Sequence, residues 1–176
     1  MNYSVIKPLD IANGPGIRVS LFVSGCRNHC PHCFQPETWS FNYGTEFTQD
    51  TLNEVIQLLK HPHVHGLTVL GGEPMEPENQ KDLVPILKAI RNEVGSKINI
   101  WCYTGFYYED LTENRLCRGN CGETTAELLD QIDVLVDGPF IEEMKNLGLR
   151  FRGSSNQRLI DLKKTRECGK IVSWFD

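Results

Sequence analysis

Long apolar runs are missing from this chain of 176 residues. No stretch approaches the roughly 18 uninterrupted apolar residues that a membrane-spanning helix needs. The N-terminal MNYSVIKPLD carries no apolar run behind a basic segment, so no secretory leader is expected either. Positive charge is also short, with 18 Lys and Arg against 23 Asp and Glu and a net charge of −5. Nucleic acid and anionic lipid both select a basic face, so neither is an expected partner. No internal repeat, no low-complexity segment, and no serine, histidine and aspartate set suited to nucleophilic catalysis stands out.

What remains suits one globular domain over residues 1–176, because 40% hydrophobic content in a chain of this length can bury a sizeable core. Cysteine is the exception to the scarcity. The count is seven, and in a chain without a leader an odd number of thiols suits metal ligation or catalysis better than a disulfide framework. The expected compartment is the cytoplasm, with the thiols reduced.

The chain alternates strand and helix signals. RVSLFVSG (18–25) reads as a buried strand closed by glycine, and FTQDTLNEVIQLLK (47–60) as a helix with Thr48 as its cap. GLTVLGGEP (66–74) reads as strand and loop, NQKDLVPILKAIRNEV (79–94) as helix, INIWCYTG (98–105) as strand, ETTAELLDQI (123–132) as helix and DVLVDGPF (133–140) as strand. Such alternation predicts an α/β fold with parallel strands. A closed eight-stranded barrel takes about 250 residues, so an open, partial barrel or a compact α/β sheet is expected. Both place chemistry at the carboxyl ends of the strands.

GCRNHCPHCF (25–34) follows the first of those strands and holds Cys26, Cys30 and Cys33. Spacing of i, i+4, i+7 also marks one face of a helix, but Gly25 and Pro31 and the polar residues between the thiols suit a loop wrapped around something. Structural zinc takes four ligands, and no fourth is apparent beside these three. A cubane 4Fe-4S cluster normally takes four thiolates, so three would leave one iron open to a substrate or cofactor.

With these residues the sequence resembles the radical S-adenosylmethionine (SAM) enzymes, whose signature is Cys-x3-Cys-x-aromatic-Cys after the first barrel strand. His32 stands where the aromatic residue usually sits. The resemblance implies a single-domain partial β/α barrel, a 4Fe-4S cluster on Cys26, Cys30 and Cys33, and SAM chelating the open iron, with one electron splitting it to methionine and a 5'-deoxyadenosyl radical. It also implies that GGEP, comprising Gly71, Gly72, Glu73 and Pro74, holds the SAM amino group. YTGF (103–106) and LVDGPF (135–140) end the next two strands. By similarity to glycyl-radical activating enzymes, Thr104 and Asp137 lie near SAM or a bound cation, with ordinary strand-end turns as the alternative.

NGPGIR (13–18) is similar to the DGPGIR segment of those activases, with Asn13 in place of the acid, and FRGSSNQRLID (151–161) looks like the activating proteins of the anaerobic, class III ribonucleoside-triphosphate reductases. The resemblance runs from about residue 2 to 162. It implies that the substrate is one glycine of the reductase, reached through the open side of a short barrel that NGPGIR helps to wall, and that a one-electron donor such as flavodoxin or ferredoxin supplies the electron. Two alternatives are a radical SAM enzyme acting on a small molecule and an activase of another glycyl-radical enzyme such as pyruvate formate-lyase. A zinc-binding interaction module is a third.

Three stretches stay outside this reading. GSSNQ is expected to be a glycine turn with Ser154 or Ser155 capping a helix. His61, His63 and His65 stand at alternating positions between a helix and a strand, a pattern that suits a metal site, but the expected reading is the end of a helix, where histidines meet its dipole and solvent. Cys117 and Cys121 in CRGNC are an exposed thiol loop, a reversible disulfide or half of a metal site shared with Cys102 or Cys168.

Overall fold

The computed structural model describes residues 1–113, 115 and 117–175. Strand β1 (Asn2–Asp10) lies antiparallel to β2 (Ile17–Val23), and the short β3 (Thr45–Glu46) pairs antiparallel with the start of β1. β2, β4 (Val64–Gly71), β5 (Asn99–Tyr103) and β6 (Val134–Asp137) are parallel neighbours, and β7 (Arg158–Asp161) closes the sheet antiparallel to β6. The seven strands are ordered β3-β1-β2-β4-β5-β6-β7. The architecture is mixed α/β, and the four strands read from the sequence form the parallel centre.

Helix α1 (Gln49–Leu59) begins at Thr48, which forms a reciprocal capping box with Thr51, so two of the orphan amides at the helix start are satisfied. Leu52, Val55, Ile56 and Leu59 are its buried stripe. α2 (Pro77–Val94) opens with proline at its first position, where no amide is needed, and buries Leu83, Leu87, Ile90 and Val94. α4 (Glu123–Gln131) packs beside α2, after the short α3 (Tyr108–Thr112).

The period of two along each strand sorts the sheet into two faces. Val19, Leu21, Val23, Leu67, Val69, Ile100 and Leu135 share one core cluster with the buried stripes of α1, α2 and α4. Trp101, Val134, Val136 and Leu159 form a second cluster, onto which Phe151 and Trp174 pack. Trp174 meets Trp101 edge-on at 4.9 Å, and its amide donates to the Leu159 carbonyl at 2.9 Å. The last residues thereby cover the second face, which the local pattern of ECGKIVSWFD did not signal.

The turn at GSSNQ is present, but the helix expected after it is not. Strand β7 intervenes, and α5 (Leu162–Cys168) is capped by Asp161, which accepts from the Lys164 amide at 2.9 Å. Arg158 explains the preference for a strand here. Its guanidinium is drawn to Asp137 on β6, directly across the register.

NGPGIR folds over the sheet at mid-height. The Thr68 hydroxyl donates to the Asn13 carbonyl at 2.7 Å, and the fully buried Arg18 donates to Thr68 Oγ1 and Asn99 Oδ1 at 2.7 Å and to the Leu67 carbonyl at 2.8 Å. Burial draws the Arg18 pKa down to about 10, and the acceptors keep the charge tolerable inside the protein. This segment leads into the amino-terminal end of β2, away from the cysteine loop that follows its other end.

Candidate active site

β2 and β4 run in register from Arg18↔Gly66 to Val23↔Gly71, so they end level. Gly25 and the GGEP turn therefore emerge side by side and bond to each other. The Gly72 amide donates to the Val23 carbonyl at 2.7 Å and the Glu73 amide to the Gly25 carbonyl at 2.9 Å. Gly25 has φ +97, and a Cβ there would stand 2.3 Å from the Phe41 ring, so only glycine fits. Two non-glycine residues of the cysteine loop, His29 (φ 46) and His32 (φ 59), also take left-handed backbone. Such conformations cost roughly 1–3 kcal/mol each and mark a loop shaped by its surroundings. The His29 ring stacks on Trp39 at 4.5 Å.

A cavity of about 180 Å³, open to solvent, lies at these strand ends. Cys26, Cys30 and Cys33 line it from one side, Gly71, Gly72 and Glu73 from the end of β4, and Thr104 and Gly105 from the end of β5. Phe22, Leu70, Tyr103 and Phe140 make much of the remaining wall apolar. All three thiols are unpaired. Burial pushes the Cys26 thiol up to about 11, against the backbone amides of Asn28 and His29, which favour the thiolate, and burial also raises Cys30.

Glu73 is the hub of the cavity floor. Its carboxylate is almost fully buried and accepts four hydrogen bonds: Oε1 from the Met75 amide (2.9 Å) and the Thr104 hydroxyl (2.8 Å), Oε2 from the Gly105 amide and the Asn28 side chain (both 2.8 Å). Burial raises its pKa, and those donors pull it back. One side chain thus joins the ends of β4 and β5 to the cysteine loop. Glu76, fully buried at the start of α2, ties the cysteine loop to the CRGNC loop by charge. It accepts from the Arg27 amide at 2.8 Å and pairs with the guanidinium of Arg27 at 2.7 Å and of Arg118 at 3.0 Å.

Among the described residues, no three Cys, His, Asp or Glu side chains converge closely enough to hold a single metal ion. The donor set fits a cluster better, since cubane thiolates bind different irons and stand farther apart than ligands sharing one ion. Three free thiols around one open cavity are a donor set of that kind.

The model of the 4Fe-4S single cluster domain family matches residues 12–160. The anaerobic ribonucleoside-triphosphate reductase-activating protein of Escherichia coli (strain K12) is 38% identical over 159 residues, 89% of this chain and 96% of that protein. The protein of the same name from Vibrio cholerae is also 38% identical, over the same shares of the two chains. That of Enterobacteria phage T4 is 35% identical over 90% of this chain and 93% of its own. The chain belongs to this family of reductase-activating proteins.

Against the resemblance noted from the sequence, the cavity gathers Cys26, Cys30, Cys33, Gly71, Gly72, Glu73 and Thr104. Three other residues do not line it. His32 sits exposed within the cysteine loop, Pro74 is buried as the last residue of GGEP, and Asp137 is fully buried, accepting from the Tyr108 amide at 2.8 Å and from Arg158 Nε at 3.0 Å. Sequence reading missed Asn28, Glu76 and Arg118, whose roles appear only when distant segments meet. It also passed over Gln157, which lines the cavity and donates to the Gly138 carbonyl at 3.1 Å while accepting from the Gly153 amide at 2.9 Å.

Other sequence features lie elsewhere. His61 follows the Lys60 cap of α1, and His65 accepts from the Ile17 amide at 3.3 Å. Cys102 is sealed in β5, where burial pushes its thiol well above the ordinary range, and Cys168 is exposed at the end of α5. No helix of the described residues is long and apolar enough to cross a membrane.

Proposed function

We propose that this chain reductively cleaves SAM at a 4Fe-4S cluster and uses the resulting 5'-deoxyadenosyl radical to take a hydrogen atom from one glycine of an anaerobic ribonucleoside-triphosphate reductase. The observation that carries it is the convergence of three unpaired thiols on one cavity in a chain of the reductase-activating family. Cys26, Cys30 and Cys33 would hold the cluster. When bound, the cluster supplies the electron for SAM cleavage and an open iron for the amino and carboxylate groups of SAM.

The chain's own residues do the positioning. Gly71 and Gly72 present bare backbone to the cavity, so a cationic amino group can approach their carbonyls closely. Glu73 has its oxygens engaged by four donors and serves by holding that turn against Thr104, Gly105 and Asn28. His32, Pro74 and Asp137 act from outside the lining, Asp137 by anchoring Arg158 next to Gln157. A primary carbon radical attacks an unactivated Cα–H readily, so the main demands are alignment and exclusion of water. The apolar side chains of Phe22, Leu70 and Phe140 serve the second demand by lining the cavity without polar groups that would hold water.

In this reading residues 1–176 are one radical SAM domain, and the parallel strands with their flanking antiparallel neighbours are an incomplete β/α barrel open toward the reductase. A one-electron donor of the flavodoxin or ferredoxin kind would reduce the cluster. Seven unpaired thiols suit a reducing compartment, the cytoplasm.

Anaerobic reconstitution with iron and sulfide, followed by electron paramagnetic resonance with and without SAM, tests the cluster. A reduced-cluster signal that shifts on adding SAM is expected. Incubation with the reductase, SAM and a strong reductant should then give a persistent doublet in the reductase, with the glycine hydrogen recovered in deoxyadenosine. Deoxyadenosine formation without a reductase radical would overturn the activase reading in favour of a small-molecule substrate. A chain that takes up zinc but no iron would overturn both.

A further inference from the structure

The CRGNC loop is the part of the chain that the cluster chemistry leaves unexplained, and it is docked on the cysteine loop. Arg118, between its two thiols, makes three contacts. Its Nε lies 3.0 Å from the buried Glu76 carboxylate, a terminal nitrogen donates to the Asn28 Oδ1, and the guanidinium lies 5.2 Å from the centre of the Phe106 ring. The loop is held from beneath by Gln80, whose side-chain amide donates to the Gly119 carbonyl at 2.7 Å, and the Cys121 amide donates to Thr125 Oγ1 at 2.8 Å.

Asn28 lies between Cys26 and Cys30, and its two polar atoms are divided between two clamps. Oδ1 accepts from Arg118, and Nδ2 donates to Glu73 at 2.8 Å. Arg27, its neighbour, is tied to the same Glu76 that Arg118 contacts. The cysteine loop is therefore gripped from the GGEP side by Glu73 and Glu76 and from the CRGNC side by Arg118. Because the loop also carries two left-handed non-glycine residues, it needs outside restraint to keep this shape.

We propose that Arg118 is a positioning residue for the cluster-binding loop: through Asn28 and Glu76 it holds Cys26 and Cys30 in place before any iron is bound. The inference rests on the proposed function for what the loop binds, but its test does not. A bidentate guanidinium suits the task, since its planar fork spans two acceptors that a lysine ammonium cannot reach together.

The test uses the full-length, cluster-free chain. Each thiol's alkylation rate is measured by peptide-resolved mass spectrometry, with exposed Cys168 as the internal reference. Arg118→Ala should raise the rates at Cys26 and Cys30 about fivefold, the factor carried by roughly 1 kcal/mol of lost hydrogen bonding. Asn28→Ala should reproduce much of the effect, and the double variant should fall short of the product of the two, as expected for residues in one network. Arg118→Lys, the variant to rely on if the alanine protein unfolds, keeps a charge for Glu76 and should still expose Cys26 and Cys30. Reactivity that rises only at Cys117 and Cys121, or stays at the wild-type level at Cys26 and Cys30 in a folded variant, overturns the proposal. If the wild-type chain binds no iron on reconstitution, the functional reading fails while the alkylation comparison still decides the role of Arg118.

Discussion

Under the proposed function, replacing any one of Cys26, Cys30 or Cys33 with alanine removes one of the three thiols that line the cavity, and Cys102, sealed in β5, cannot stand in for it. Each single variant should lose the reconstituted cluster's visible absorption and SAM cleavage together, while a variant keeping both would show that its thiol is not a ligand. Glu73 calls for a subtler substitution. Its four donors include the backbone amides of Met75 and Gly105, one on each oxygen. Glu73→Gln keeps the shape, but whichever way its amide turns, the NH2 group faces one of those fixed N–H groups. A buried donor left without an acceptor costs about 1–3 kcal/mol. The urea midpoint of the cluster-free protein should fall accordingly, and an unchanged midpoint would mean that Glu73 is protonated and already donates within the site.

At the scale of elements, the carboxyl ends of β2, β4 and β5 each deliver one part of the cavity: the thiols, the glycine turn and Thr104. The level ends of β2 and β4 make this possible, because a slip of one residue would turn their buried faces over. The CRGNC loop adds a clamp through Arg118, whereas its thiols are not part of the cavity wall. Replacing Cys117 and Cys121 together with serine should leave SAM cleavage, measured as deoxyadenosine formed per minute, within about twofold of wild type, because conservative changes on a partly exposed loop rarely cost much. A large loss in a folded protein would bring these thiols into the chemistry.

For the whole molecule, the antiparallel edge at β6 and β7 is fastened by charge. Arg158 bridges Asp137 and Glu109, and this partner holds the Glu109 pKa down to about 2 from its ordinary 4.5. A carboxylate whose folded pKa is depressed stabilises the protein above the unfolded value and loses that contribution as pH falls toward the folded one. Stability should therefore drop between about pH 4.5 and 2. Because the pair is partly exposed, the share lost with Glu109 is about 1 kcal/mol after screening. Urea unfolding of Glu109→Gln across that window should show a shallower decline than wild type. An identical slope would place the acid sensitivity elsewhere.

Sequence alone determined the alternation of four strands and three helices, the Thr48 cap and the spacing of the three thiols, because each is written within one turn, one strand or one loop, where periodicity and capping chemistry act. It also carried the family, through motifs short enough to read directly. Strand β1 escaped because NYSVIKPLD, covered on its outer side only at its start by the short β3, buries only Asp10 fully and shows no clean apolar period. The helix expected after GSSNQ gave way to β7, where the Arg158–Asp137 ion pair forms across a register visible only once the sheet is assembled. The engagement of Glu73 by residues at positions 28, 75, 104 and 105, and of Asn28 by Arg118, joins segments up to 90 residues apart. Hydrogen bonds of that kind leave no periodicity in the chain, so only the tertiary structure decided which side chains hold the cysteine loop in shape.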